Sequence, residues 1–107
     1  MRVYLPTTLA LLREYAAAGA VAGYDDPFVA DGEDEESEYA ALMAAADASA
    51  ALGAEDRRRV VLVAEMAHEG EPIPFEQVLA VHADLVGAGP EDDLAWFATQ
   101  EVPDLVA

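Results

Sequence analysis

The stretch Arg57-Arg58-Arg59-Val60-Val61-Leu62-Val63-Ala64 decides the fold of this chain. Its last five residues are apolar, three of them are β-branched, and no polar residue alternates with them. Such a run is typical of a strand that is buried on both faces of a sheet. The stretch therefore predicts a central strand at 60–64.

A second strand is predicted downstream, from Val78 to Val86, after a loop over Glu69–Pro74. Because side chains alternate along a strand, two faces are expected. One face should carry Leu79, Val81, Ala83 and Leu85, and the other Val78, Ala80, His82 and Asp84. After a break at Gly87–Pro90, the acids beside the proline predict a short helix from Glu91 to Phe97. The tail 99–107 shows little periodicity.

The upstream half predicts two helices and two more strands. Arg2–Leu5 has β-forming residues and is predicted to end at Pro6, and a helix over about 7–18 follows, with Gly19 as its C-terminal cap. Ala20–Tyr24 is a weak strand candidate. A long helix is predicted over about 34–52, with an acidic first turn. Its apolar face is predicted to consist of Tyr39, Leu42, Met43, Ala46 and Ala50.

This order of elements predicts one α+β domain over residues 1–107. The expected architecture is a two-layer sandwich, in which a three- to four-stranded mixed sheet carries the two main helices on one face. In outline this resembles a ferredoxin-like fold.

Charge and composition restrict the function. The net charge is −17, from 22 acidic residues against five Arg, and the chain has neither Lys nor Cys. The missing Cys excludes a disulfide framework, a thiolate zinc site and a cysteine nucleophile. The negative field opposes binding to nucleic acids and to anionic membranes. No apolar run is long enough for a signal peptide or a membrane span, which predicts a cytoplasmic protein.

Five residues are candidates for ligand binding. Thr7 and Thr8 are predicted at a helix N-terminus directly after a strand, where free amides favour an anion, although ordinary helix capping explains them as well. His82 and Asp84 are predicted on one strand face, with Glu65 or His68 near them, a set that can serve acid–base or metal chemistry. Trp96 is predicted in the core or at its rim, near a pocket between the sheet and the helices. The spacings match no metal motif, so no metal, cofactor or catalytic residue is predicted.

Three further features of the sequence are the acidic segment, the arginine cluster and a pair of adjacent aromatic residues. The segment 25–38 holds eight acids in fourteen positions but does not fit an EF-hand loop, and it is predicted to be a solvated loop. Arg57–Arg59 is expected to offset neighbouring acids or to anchor an acidic partner. Trp96 and Phe97 are adjacent and cannot both face inward in a helix, so one exposed ring is expected at an interface, such as that of a homodimer.

Several blocks of the sequence look familiar together. They are Met1–Thr7, Glu38–Leu42, Arg57–Leu62, Ala80–Asp84 and Leu94–Glu101. In this order they resemble a family of small uncharacterised actinobacterial proteins, that is, a domain of unknown function. The resemblance implies a cytoplasmic actinobacterial protein and supplies no activity, ligand or catalytic residue. Compared with that family, this chain is short between the two strong strands.

The sequence therefore leaves three functions open. The first is a non-enzymatic acidic module that binds a protein partner or a second copy of itself. The second is a small-molecule-binding domain or minor enzyme, with a pocket between sheet and helices near Thr7, His82 and Trp96. The third is a nucleic-acid mimic that inhibits a DNA-binding protein, which only the charge suggests.

Overall fold

The computed structural model describes residues 1–107 and contains six strands and three α-helices. The elements follow one another as β1 (Arg2–Thr7), α1 (Leu9–Ala18), β2 (Ala20–Val21), α2 (Glu35–Ala51), β3 (Val60–Glu65), β4 (Ile73–Pro74), β5 (Val78–Ala83), β6 (Ala95–Ala98) and α3 (Val102–Leu105). None of the helices combines the length and apolar character that crossing a membrane requires.

Four strands form the main sheet, in the order β1-β3-β5-β6. The predicted α+β class and the inner position of 60–64 are confirmed, because β3 lies between β1 and β5 and Val60–Ala64 are all buried. The expectation of a mixed sheet is wrong, since every pairing is antiparallel. The weak strand at 20–24 shortens to β2, which pairs with β4 in a separate two-stranded sheet.

The side chains of β3 divide the interior into two clusters. Val60, Leu62 and Ala64 face the main core, which α1, α3 and the small sheet close. Val61 and Val63 point the other way, toward α2. The expectation of both helices on one face, and with it the ferredoxin-like outline, is therefore wrong. A strand without polar alternation needs apolar cover on both faces, and one helix supplies it on each.

The face that α2 turns to the sheet is made of small residues. Ala41, Ala45, Ala46 and Ser49 are buried, whereas Tyr39 and Ala50 of the predicted apolar face are exposed and Leu42 and Met43 are only partly buried. Small side chains let the helix backbone approach the sheet closely. The predicted apolar face includes the larger side chains, whereas the observed buried face is made of small ones. The two faces differ by a rotation about the helix axis.

Strand β1 continues through Pro6 to Thr7, so the predicted end of this strand is wrong. The strand tolerates Pro6 because β1 is an edge strand and a missing N–H on its outer side breaks no ladder bond. On that outer side, Tyr4 exchanges both backbone hydrogen bonds with Phe28, at 2.8 and 3.0 Å. The acidic segment thus touches the sheet once before α2 begins.

The predicted helix over 91–97 is also wrong, because β6 occupies this position. A turn precedes it, in which the Asp92 carboxylate accepts from the Gly89 N–H at 2.7 Å. Pairing with the free edge of β5 satisfies more backbone groups than one short helical turn can. The side chains then alternate, so Phe97 packs against the main core and Trp96 is 60% exposed.

Candidate functional site

Helix α2 packs over β1 and β3 and leaves the β5–β6 half of the same sheet face uncovered. A groove of about 450 Å³ lies where the side of α2 meets the uncovered part of the sheet. Its lining is Arg2, Tyr4, Glu35, Glu38, Tyr39, Leu42, Val63, Leu79, Ala80, His82 and Trp96. The groove follows from the fold, since one helix cannot cover four strands.

Three large apolar side chains of the groove are open to solvent. Trp96 is 60% exposed, Tyr39 54% and Leu79 41%. They come from three different elements, β6, α2 and β5, yet line one cavity. Surface apolar residues scattered singly are common, whereas a contiguous set marks an interaction site.

A β-bulge in β5 places Leu79 in this groove. Val63 pairs with Ala80 and Ala64 pairs with Val78, so Leu79 is an extra residue in the strand. As a result, Val78 joins Val81 and Ala83 in the main core, and Leu79 faces the groove with Ala80 and His82. The strict alternation that the sequence predicted for 78 and 79 is therefore wrong. Bulges characteristically redirect a side chain in this way beside functional sites.

The α2 side of the groove is acidic and carries one cation. Glu35 and Glu38 stand in the first turn of α2, and Arg2 lies 3.5 Å from the Glu38 carboxylate and 3.7 Å from that of Glu65. Burial raises the pKa of the Tyr4 hydroxyl, and the charge of Glu38 raises it further. The Tyr4 hydroxyl is therefore un-ionised at neutral pH and can form hydrogen bonds at the wall of the groove. Because Arg2 is shared between two carboxylates, the rim stays net negative.

His82 lies half-buried in the groove, on the strand position that pairs with Trp96. Burial lowers its pKa, so the imidazole is neutral at physiological pH. Glu65 is not its neighbour: antiparallel pairing puts His82 opposite Val61, whereas Glu65 lies at the far end of β3 opposite Arg2. A neutral imidazole in this position can donate or accept one hydrogen bond to a bound ligand.

Asp84 does not join His82. Its carboxylate binds Arg59 instead, with the Arg59 Nη2 atom 2.8 Å from Oδ1 and Nε 2.9 Å from Oδ2. Burial acts to raise the pKa of Asp84, but the hydrogen bonds from Arg59 and the positive charges of Arg59 and Arg58 together outweigh it, so the pKa is lowered. Arg59 therefore pairs with an acid that directly follows β5, not with Glu55, Asp56 or the acidic segment.

Thr7 and Thr8 lie away from the groove. The Thr8 hydroxyl accepts from the Leu11 N–H at 3.2 Å and caps α1, and the Thr7 side chain is buried. The Thr7 carbonyl accepts from the Ser49 hydroxyl at 2.7 Å, on the inside of the fold. The groove thus brings together His82 and Trp96 of the five predicted residues, and Thr7, Thr8 and Asp84 hold structure elsewhere.

Sequence reasoning missed several groove residues. The predicted alternation puts Leu79 on the opposite face and the predicted helix face puts Tyr39 in the core, and both predictions are wrong. Glu35 and Glu38 were visible only as part of an acidic helix start. A signal for Tyr39 did exist, since it stands one residue from Glu38 and four from Glu35 on the helix, where a core-facing ring would bring carboxylates toward the interior.

No group of three or more His, Asp or Glu side chains is arranged to hold a metal ion. The fold and the groove together define a small antiparallel α+β domain with an exposed, partly apolar groove and an acidic rim. The chain belongs to the family of unknown function DUF6912, whose profile matches residues 1–91. The match spans the groove residues of β1, α2, β3 and β5, and Trp96 lies beyond it. Neither the curated proteins nor the solved structures contain a significant match to the chain.

Proposed function

We propose that this domain is a non-enzymatic interaction module that binds a positively charged, apolar-containing segment of a partner protein in the groove. The observation that carries the proposal is the uncovered β5–β6 half of the sheet face, where Leu79, Tyr39 and Trp96 stand exposed along one cavity.

The charge of the partner follows from the charge of the domain. With −17 overall and Glu35 and Glu38 at the rim, the surface attracts a segment with Lys or Arg and repels an acidic one. Such a field speeds association and selects partners more than it adds affinity. The same charge opposes a homodimer, because two copies would bring like charges together.

The apolar part of the partner follows from the floor of the groove. Burying an exposed aromatic ring at the centre of an interface contributes about 2 kcal/mol or more, and tryptophan is enriched among such anchors. Trp96 and Leu79 supply this surface, and His82 adds one hydrogen-bonding group between them. A nucleic-acid mimic would present carboxylates alone at this place, so the apolar floor favours a protein partner.

The composition supports the setting of this activity. The chain has 24 Ala and no Lys among its 107 residues, which is typical of proteins from GC-rich genomes. Together with the resemblance of the sequence blocks to actinobacterial proteins and the absence of Cys, this composition supports our proposal of an actinobacterial cytoplasmic setting.

Selection from a displayed library of random short peptides tests the proposal. Peptides are selected on the wild-type domain, with counter-selection on the Trp96→Ala variant. The recovered peptides should combine Lys or Arg with large apolar residues, and their affinity should fall with rising salt. Titration calorimetry should show about a tenfold loss of affinity for Leu79→Ala.

Matched variants make this test specific. Leu85 is 58% exposed and lies outside the groove, so Leu85→Ala should leave peptide affinity unchanged. Glu35→Gln should slow association, whereas Glu55→Gln, at an exposed position outside the groove, should have a smaller effect. Recovery of no peptide that distinguishes the wild type from Trp96→Ala would refute the proposal. Dimerisation of the free domain that Trp96→Ala abolishes would show instead that a second copy occupies the groove.

A small organic cation is a second candidate ligand, favoured by the combination of three aromatic rings and two carboxylates in one groove. Tyr4, Tyr39 and Trp96 line the groove with aromatic rings, and Glu35 and Glu38 add negative charge. Tetramethylammonium and arginine amide are suitable probes. Saturable shifts of the Trp96 indole signal with either probe, but not with the neutral isostere of the former, would support this ligand class.

A further inference from the structure

The outer edge of β6 carries backbone groups that no other strand uses. The Asp84 N–H donates to the Arg59 carbonyl, so residues 80, 82 and 84 point their backbone groups toward β3. Val81 and Ala83 must then bond β6, and their partners there are Phe97 and Ala95. The N–H and C=O of Trp96 consequently point away from the sheet.

No hydrogen bond within the chain uses the outward backbone groups of Trp96. None of the backbone hydrogen bonds outside helices and strands involves residues 95–98. The one outward group that is satisfied is the Ala98 N–H, which donates to the Glu101 carboxylate at 3.1 Å. The free edge is therefore short, and it is centred on Trp96.

The two edges of the sheet differ. On β1, Tyr4 exchanges two hydrogen bonds with Phe28, and Pro6 offers no donor. Blocking devices of this kind prevent pairing with a foreign strand. On β6 neither device is present at Trp96, so the sheet can be extended on one side only.

We infer that the partner segment binds as an additional antiparallel strand on β6, with its central residue directly opposite Trp96. This inference rests on the proposed function: the backbone of the segment would lie along the outer edge of β6, and its side chains on the groove face would reach past Trp96 into the groove. The partner residue opposite Trp96 would exchange both backbone hydrogen bonds with it and place its side chain on the groove face. That side chain and those two positions away line up beside Trp96, and the residues between them face the opposite side of the sheet.

The charges around the edge agree with the same partner. Asp92 and Asp93 precede β6, and Glu101 follows it, and all three are exposed. Lys or Arg at either end of the added strand would face these carboxylates, while an apolar centre covers Trp96. The expected segment is thus an extended, basic-ended stretch with alternating apolar residues.

A scan of N-methylated peptides tests the inference. The probe is the tightest peptide from the selection described above, N-methylated at one position at a time. N-methylation removes one donor and blocks one strand edge. A strand added to β6 predicts losses of about tenfold at alternate positions and little effect between them. Amide hydrogen exchange should show that the Trp96 N–H exchanges freely in the unbound domain and becomes protected by the peptide.

The outcomes separate the two proposals. If peptides bind the groove but neither the period-two pattern nor protection of Trp96 appears, strand addition is refuted and groove binding stands. If the selection recovers no groove-dependent peptide, both fail. If the Trp96 N–H becomes protected with rising domain concentration in the absence of peptide, a second copy occupies the edge, and the inferred partner strand is overturned.

Discussion

The guanidinium group of Arg59 and the carboxylate of Asp84 form a buried two-point ion pair that joins the start of β3 to the end of β5. The same carboxylate accepts from the Arg59 backbone N–H at 2.8 Å. Two further guanidinium N–H groups donate to the carbonyls of Pro90, at 3.1 Å, and Asp92, at 2.7 Å. Arg59 thus fixes the turn that leads into β6, and through it the position of Trp96.

Removal of Asp84 should be strongly destabilising. Asp84→Ala leaves the Arg59 guanidinium buried without its counter-ion, because the Arg59 side chain is 7% exposed. Breaking a buried pair in this way costs about 3–5 kcal/mol of unfolding free energy. Urea denaturation followed by circular dichroism measures the loss.

Two further variants show whether this loss comes from the buried charge. Arg57→Asn removes a neighbouring exposed charge at a residue with a φ of 57°, a conformation that Asn tolerates, and should change stability little. The double variant Arg59→Met with Asp84→Leu should be more stable than Asp84→Ala, because no uncompensated charge remains. A double variant at least as destabilised as Asp84→Ala would argue against the ion pair as the cause.

His82 should make stability depend on pH. Burial lowers the pKa of His82 below its ordinary value of 6.5. The unfolded chain therefore binds this proton at a higher pH than the folded domain does, so the unfolding free energy should decrease as the pH falls from about 6.5 toward the folded pKa. His82→Gln should remove this part of the decline.

An NMR titration of the His82 ring measures the pKa directly. Trp96→Ala uncovers the neighbouring strand position and should bring the pKa back toward 6.5. Arg2, Glu35 and Glu38 are the charged residues of the groove, but burial alone accounts for the lowered pKa of His82. A pKa at or above the ordinary value in the wild type would contradict burial as the dominant influence.

Local signals in the sequence predicted most of the elements. The β-branched run at Val60–Val63 became the inner strand, and Thr8 and Gly19 delimit α1, with Gly19 at a φ of 77° as its C-terminal cap. Asp34 caps α2 by accepting from the Ser37 N–H at 3.1 Å. Each of these signals acts within a few residues along the chain. Such helices and strands can therefore be predicted from the sequence alone.

The arrangement of the elements depends on partners far along the chain. No local sequence pattern predicts the bulge that makes Leu79 an extra residue in β5 beside the pairs Val63–Ala80 and Ala64–Val78. Nor does any local pattern predict that residues 95–98 pair with β5 instead of forming a helix. The groove arises from the bulge at Leu79, from the pairing of β6 with β5, and from the packing of α2 over β1 and β3 only. Of the predicted site residues, His82 and Trp96 were the two whose strand neighbours happened to bring them together.

Ser49 should be essential for the junction between β1 and β3. Its buried hydroxyl donates to the Thr7 carbonyl at 2.7 Å and accepts from the Val60 N–H at 2.8 Å. Ser49→Ala leaves both backbone groups buried without a partner, so the unfolding free energy should decrease by about 1–3 kcal/mol. Ser37→Ala provides the matched control, because the Ser37 hydroxyl binds the exposed carboxylate of Asp34 and should contribute less. Equal effects of the two substitutions in urea denaturation would contradict the bridging role.

The alanine face of α2 should be intolerant of larger side chains. Ala45 has no exposed surface and packs in one cluster with Val61 and Val63. Ala45→Leu inserts three carbon atoms where the helix backbone approaches the sheet and should destabilise the domain by about 1–3 kcal/mol. Ala50→Leu introduces the same side chain on the exposed side of the same helix, so it should leave stability nearly unchanged. Thermal unfolding of the two variants compares them.

Tyr39→Ala completes this comparison and links α2 to the groove. Tyr39 is 54% exposed, so its removal should change the unfolding free energy little while weakening the binding of a groove-selected peptide. If Tyr39 were instead a core residue, Tyr39→Ala would lower stability by several kcal/mol, as large-to-small core substitutions do. The variants Ala45→Leu and Tyr39→Ala therefore distinguish the observed orientation of α2, with Ala45 facing the sheet, from the predicted one, with Tyr39 facing it. Only the rotation with Ala45 inward leaves an aromatic ring free at the groove, because Ala45 and Tyr39 lie on different sides of the helix.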